Sequence, residues 1–378
     1  MATMVDPLRK LWLPENDHLL LARLTKPLWF GHLAVAAFIV LSGYSLQLAL
    51  FKRSENGDFA GFSKYIVRRA RRILPPYYAC LAISILVCLL VTQKQTTLPF
   101  TQYVPLTTGN VVSHLLLVHN FNPAWMYKIN GVLWSIAIEA QLYIVFPLLV
   151  ALRARLGVFV QLVVAAGVVW VGFQLVPAAP KLYFWYFWLF ALGGCAAWWA
   201  RARGLGSGRP QDTGDACRPG AEPRFDRGEG EALGRGDKKL NLLPPVIGLL
   251  AAILLVLGCT TAQQAKSVVL PDLLFGTGTA LLLLVLTACP TWKLNRVLGW
   301  RPLVALGGFS YSLYLMHHPI LQALFVYRPS GIQTELKQFA FLLACTPIIV
   351  GLCYLFHLAF ERPFMKATQP ISSEKSTA

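Results

Sequence analysis

Apolar runs of about 20 residues recur along the chain, and short stretches holding most of the charge, Gly and Pro separate them. That length lets a helix rising about 1.5 Å per residue cross a hydrocarbon core. The pattern predicts spans over 30–50, 74–93, 133–151, 157–176, 183–200, 243–260, 269–289, 302–326 and 338–360. A membrane helix satisfies its own backbone hydrogen bonds, so the prediction is an all-α transmembrane bundle of about nine spans. Short alternating strands, which a barrel would need, do not occur. Residues 201–242 break the pattern. They are rich in Gly, Pro and charge and lack the apolar surface to fold, so a disordered cytoplasmic linker is expected there. It divides a first membrane half of five spans (30–200) from a second of four (243–360). Tails cover 1–29 and 361–378. The loop 94–132 carries aromatics with Pro99, Pro105 and Pro123 and is expected to cap the bundle.

Composition agrees with this reading. Of 378 residues, 56% are hydrophobic and only 13% charged, against about 25% charged in soluble domains. The net charge of +17 raises nucleic acid as a partner, but the distribution of the basic residues excludes it. Lys and Arg number seven in 51–73, two in 152–156, nine in 201–242, three in 290–301 and three from 361 onward. The intervening loops 94–132, 177–182, 261–268 and 327–337 hold two, one, one and two. Such alternation puts the basic set and the C-terminal tail in the cytoplasm, beside anionic lipid head groups. The tail 1–29 then falls outside, although it has no signal peptide. A further hydrophobic helix preceding it is therefore expected. The eight cysteines form no close pair, and the expectation is buried small side chains, with neither disulfides nor a metal cage.

Candidate chemistry comes from polar groups inside the spans. Glu139 lies within the span 133–151, where a charge costs roughly 3 kcal/mol. Ser135, Glu139 and Tyr143 are four apart and share one helix face. The stripe lines either a substrate cavity or a helix–helix contact in which Glu139 bonds an Arg. In "GGFSYSLYLMHHPILQAL", Ser310, Tyr314 and His317 share a face, and Pro319 follows. His317 is either a packing contact or a neutral imidazole able to take a proton from a hydroxyl. In "KYIVRRARRILPPYY", Arg69 and Arg72 are either a juxtamembrane basic cluster or a phosphate-binding patch, and "LPP" is expected to form a turn. His18, His114 and His119 show no ligand spacing, and His357 is read as core or interfacial.

Taken together, these residues resemble the acyltransferase-3 family of membrane proteins, which O-acylate sugars. "FIVLSGYSL", "RRARRILPPYY", "LWSIAIEAQLYIVFP", "SYSLYLMHHP" and "ERPF" match its motifs in order over roughly residues 31–364. The resemblance implies acyl-CoA as co-substrate, with no bound cofactor or metal, and a carbohydrate hydroxyl as acceptor. It implies Glu139 and His317 as catalytic residues. Arg69, Arg72, Ser135, Tyr143, Ser310 and Tyr314 would bind substrate. One motif departs. The family's first helix carries R/K-x10-H, whereas Pro7 and Leu21 stand eleven residues before His18 and His32. The expectation is that this chain lacks that helix or has lost that base. The rival reading is a transporter or non-catalytic relative using Glu139 and His317 as a proton relay.

Overall fold

The computed structural model describes residues 31–52, 61–95, 100–203, 243–264, 267–329 and 335–366. The expected tail 1–29, most of the linker 201–242 and Cys217 lie outside these residues. Among the described residues there are helices and turns but no strand. The helices are α1 (Gly31–Phe51), α2 (Phe62–Leu90), α3 (Thr108–Leu115), α4 (Leu133–Leu175), α5 (Tyr186–Ala202) and α6 (Leu243–Gln264). They continue as α7 (Val269–Ala288), α8 (Lys293–Leu298), α9 (Arg301–Gly308), α10 (Ser310–Val326), α11 (Glu335–Phe356) and α12 (Arg362–Lys366). A π-helical turn, His357–Glu361, joins the last two. Among the described residues, six helical stretches are long and apolar enough to cross a membrane. The chain is a multi-pass α-helical membrane protein.

Helix α4 is two helical stretches that meet at a kink at Gly157, whose φ of 85° is non-helical and one that L-residues avoid, so the division expected between 133–151 and 157–176 is present. Two other elements differ from the sequence expectation. The predicted span 302–326 is broken at Phe309; α9 before the break has no buried residue, and α10 after it does. "LPP" is not a turn. Helix α2 runs straight through Pro75 and Pro76. Two prolines remove two backbone N–H donors, but the ladder resumes beyond them, and the Ile73 carbonyl takes an added hydrogen bond from Tyr311 Oη at 3.1 Å.

The described helices pack as two compact units that are not contiguous in sequence. The first holds α2, α3, α4 as far as Pro147, and the C-terminal helices from α10 onward. The second holds α1, the rest of α4, and α5 to α8.

Within the second unit the "LSG" of α1 has a steric meaning. A Cβ on Gly43 would sit 2.1 Å from Phe190 O, and one on Gly193 2.0 Å from Val40 O. Helices α1 and α5 therefore touch backbone to backbone, as small residues permit in membranes. Arg153 is buried there and donates to Gln47 Oε1 at 2.6 Å.

Within the first unit, Tyr65 Oη donates to Tyr143 O, tying α2 to α4. The segment 100–132 is bonded to α2 and α4. Tyr77 and Tyr78 donate to the carbonyls of His114 and Leu115, and Asn120 and Gln141 exchange side-chain amide bonds.

Cys80, Cys88, Cys195, Cys345 and Cys353 are buried free thiols, as expected. Cys289 is disulfide-bonded, which corrects that expectation. Pairing depends on Cα proximity in the fold, which sequence spacing does not reveal.

Candidate functional site

Helix α4 carries the first part of the site. Ser135, Glu139 and Tyr143 are all buried on the expected face, and Tyr143 Oη donates to Glu139 Oε1. The guanidinium of Arg69, from α2, lies 5.8 Å from the ring centroids of both Tyr65 and Tyr143. A cation over aromatic faces is held by the ring quadrupoles. The motif arginine and the motif glutamate thus share one tyrosine as neighbour.

Helix α10 supplies the second part. Tyr314 Oη and Ser135 Oγ are 2.6 Å apart, and both hydroxyls also reach Val132 O. The His317 ring lies 5.8 Å from that of Tyr314. His317 Nδ1 donates to Leu313 O at 3.1 Å, which leaves Nε2 as the lone pair of a neutral imidazole.

Not every expected residue joins them. Ser310 is exposed and bonds to Gly307 O at the helix start. Arg72 is exposed, unlike the half-buried Arg69. An open groove of about 350 Å³ on the opposite side of α2 is lined by Lys64, Arg68 and Arg71 instead.

Several buried polar clusters escaped the sequence reading because their partners meet only in the fold. In the first unit, Glu361 Oε2 accepts from Ser312 Oγ and bonds His357 Nδ1 at 2.8 Å, beside the π-helical turn. The "ERPF" motif was the available signal for Glu361. His114 and His119 are fully buried and stacked, with ring centroids 3.7 Å apart. Burial pushes them down from the ordinary histidine value to about 4 and about 3. In the second unit, Asp272 is 0% exposed. It accepts from Trp185 Nε1 at 3.0 Å and lies 3.9 Å from His32 Nε2. Among the described residues no group of three or more His, Cys, Asp or Glu is placed to hold a metal ion.

A buried carboxylate lies in the same unit of this membrane protein as a half-buried imidazole and a half-buried guanidinium. The chain belongs to the acyltransferase-3 family, the acyltransferase domain whose profile matches residues 11–358. It is 26% identical over 316 residues to a putative peptidoglycan O-acetyltransferase of Bacillus subtilis, covering 77% of this chain and 44% of that one. It is 22% identical over 312 residues to a peptidoglycan O-acetyltransferase of Listeria monocytogenes, covering 77% and 45%. A putative O-acetyltransferase of Staphylococcus aureus is 27% identical over 132 residues, covering 32% and 20%. The chain thus spans less than half the length of these relatives. No solved structure matches it.

Proposed function

We propose that this protein is a membrane O-acyltransferase that moves an acyl group from acyl-CoA to a hydroxyl of a sugar or polysaccharide. Peptidoglycan, named for the relatives, is the leading acceptor. The observation that carries the reading is the clustering of three family motifs in one unit: Arg69 over Tyr143, Tyr143 on Glu139, and Ser135 on Tyr314 beside His317.

In this reading His317 Nε2 takes the acceptor hydroxyl proton as the oxygen attacks the thioester carbonyl carbon. The hydroxyls of Ser135 and Tyr314 turn from Val132 O to the oxyanion that forms. The C–S bond then breaks, and the CoA thiolate leaves with the proton carried by His317. Arg69 holds a donor phosphate, assisted from the surface by Arg72. Glu139 keeps Tyr143, and through it Arg69, in position. The basic loops and the C-terminal tail face the cytoplasm, where acyl-CoA is found.

The test uses the full chain in proteoliposomes, with labelled acetyl-CoA and a glycan acceptor. Wild type transfers label. His317→Ala and Glu139→Gln each lose activity by about 100-fold or more, the scale of a lost general base. Substrate movement without any acyl donor, still sensitive to both substitutions, overturns the reading in favour of a proton-coupled transporter.

A further inference from the structure

The residue after His317 has no part in that chemistry, yet it organises a second polar cluster in the same unit. His318 Nε2 bonds Tyr103 Oη at 3.1 Å, with the two rings edge to face. Gln102 donates to the same hydroxyl at 2.6 Å. Gln322, one turn on from His318 and on the same face of α10, is 5% exposed. Its amide faces the Tyr103 hydroxyl, but neither Oε1 nor Nε2 reaches a hydrogen-bond partner, and His318 Nδ1 has none either. Gly131 closes the cluster from α4's side, since a Cβ there would stand 2.9 Å from His318 Nε2 and 3.1 Å from the Tyr103 ring.

Buried polar atoms are nearly always paired, and a side-chain amide with both ends unpaired in a protein interior is costly. Here a side-chain amide and an imidazole nitrogen, carried on one face of α10, are buried unpaired, and the His317 ring lies 6.4 Å from that of His318. The cluster contains no carboxylate. Lys128, from the same segment, is occupied by Val104 O at 2.6 Å. Such a lining has nothing to neutralise an ion. It suits a group that donates and accepts at once, which is what a neutral hydroxyl does.

We propose that Tyr103, His318 and Gln322 form the acceptor-recognition subsite, which binds an uncharged hydroxyl-rich sugar unit beside the hydroxyl to be acylated. The assignment rests on the function proposed above, but binding can be measured without turnover. Full-length protein in detergent is titrated with the neutral tetramer of N-acetylglucosamine and, separately, with the anionic tetramer of galacturonate. Wild type binds the neutral probe at least tenfold tighter than the anionic one. Gln322→Leu and Tyr103→Phe, the second of which removes one oxygen, each weaken the neutral probe at least tenfold while thermal unfolding stays cooperative. Unchanged affinity in both variants, no preference for the neutral probe, or no binding to wild type at millimolar concentration overturns the subsite. If the neutral probe binds as described but labelled acetyl-CoA transfers nothing, the acyltransferase reading fails and the subsite stands.

Discussion

At the scale of single residues, Tyr143 is a donor to the buried carboxylate at position 139. Tyr143→Phe removes one hydrogen bond that Glu139 accepts, and a hydrogen bond to a charged group contributes about 1.5–3 kcal/mol. The expected outcome is a lower melting temperature in detergent together with reduced acyl transfer. A variant with unchanged melting would mean that other donors already satisfy the carboxylate. Arg69 and Arg72 separate in the same way. Arg69→Lys keeps the charge but loses the planar contact with two rings, so the KM for acyl-CoA is expected to rise about tenfold. Arg72→Lys, on an exposed side chain, is expected to change it by less than about twofold.

The stacked His114 and His119 make a pH prediction of definite sign. In the unfolded chain both titrate near 6.5, and in the folded protein near 4 and 3. The unfolded state therefore binds protons first as pH falls. Their contribution to stability is complete above about pH 6.5 and declines as pH drops toward the folded values. Melting temperature should fall over that window, and His119→Phe, which keeps a flat ring without a proton site, should flatten the slope.

At the scale of elements, the i, i+4 spacing of Ser135, Glu139 and Tyr143 was readable because a helix puts those positions on one face by its own geometry. The course of α2 was not readable. Consecutive prolines argue for a stop, yet the helix continues past them, and Tyr311 Oη on the Ile73 carbonyl ties that turn of α2 to α10. Gly43 of α1 was readable as part of a motif but not as a contact, and Gly193 of α5 was not singled out at all. A side chain at either one would enter the opposing backbone. Gly43→Val or Gly193→Val is therefore expected to destabilise by about 3 kcal/mol or more, at the upper end for overpacking. Loss of the monodisperse detergent-solubilised species in size-exclusion chromatography would report it.

At the scale of the whole molecule, the α-helical and membrane-spanning nature of the chain followed from its apolar runs alone, as did the alternation of charge between loops, but the number and bounds of the spans did not: nine were expected, and six helical stretches among the described residues are long and apolar enough to cross a membrane. The orientation that the charge alternation implies is testable. Single cysteines introduced in 152–156 or 290–301, in an otherwise cysteine-free background, should resist an impermeant thiol reagent applied outside intact cells. A cysteine in 177–182 should react.

Apolar length and backbone self-sufficiency are local properties, so the sequence by itself determined that this is a helical membrane protein and where most of its helices lie. Spacing along one helix is also local, and it exposed Ser135, Glu139 and Tyr143 as one stripe. Only the tertiary structure decided which helices form a unit, that Ser312 and not Ser310 is buried on a carboxylate, and that Tyr103 meets His318 across more than two hundred residues of chain. The reason is physical. Lipid supplies no hydrophobic drive between helices, so partners are chosen by close backbone approach and by pairing of buried polar groups, and both depend on three-dimensional fit.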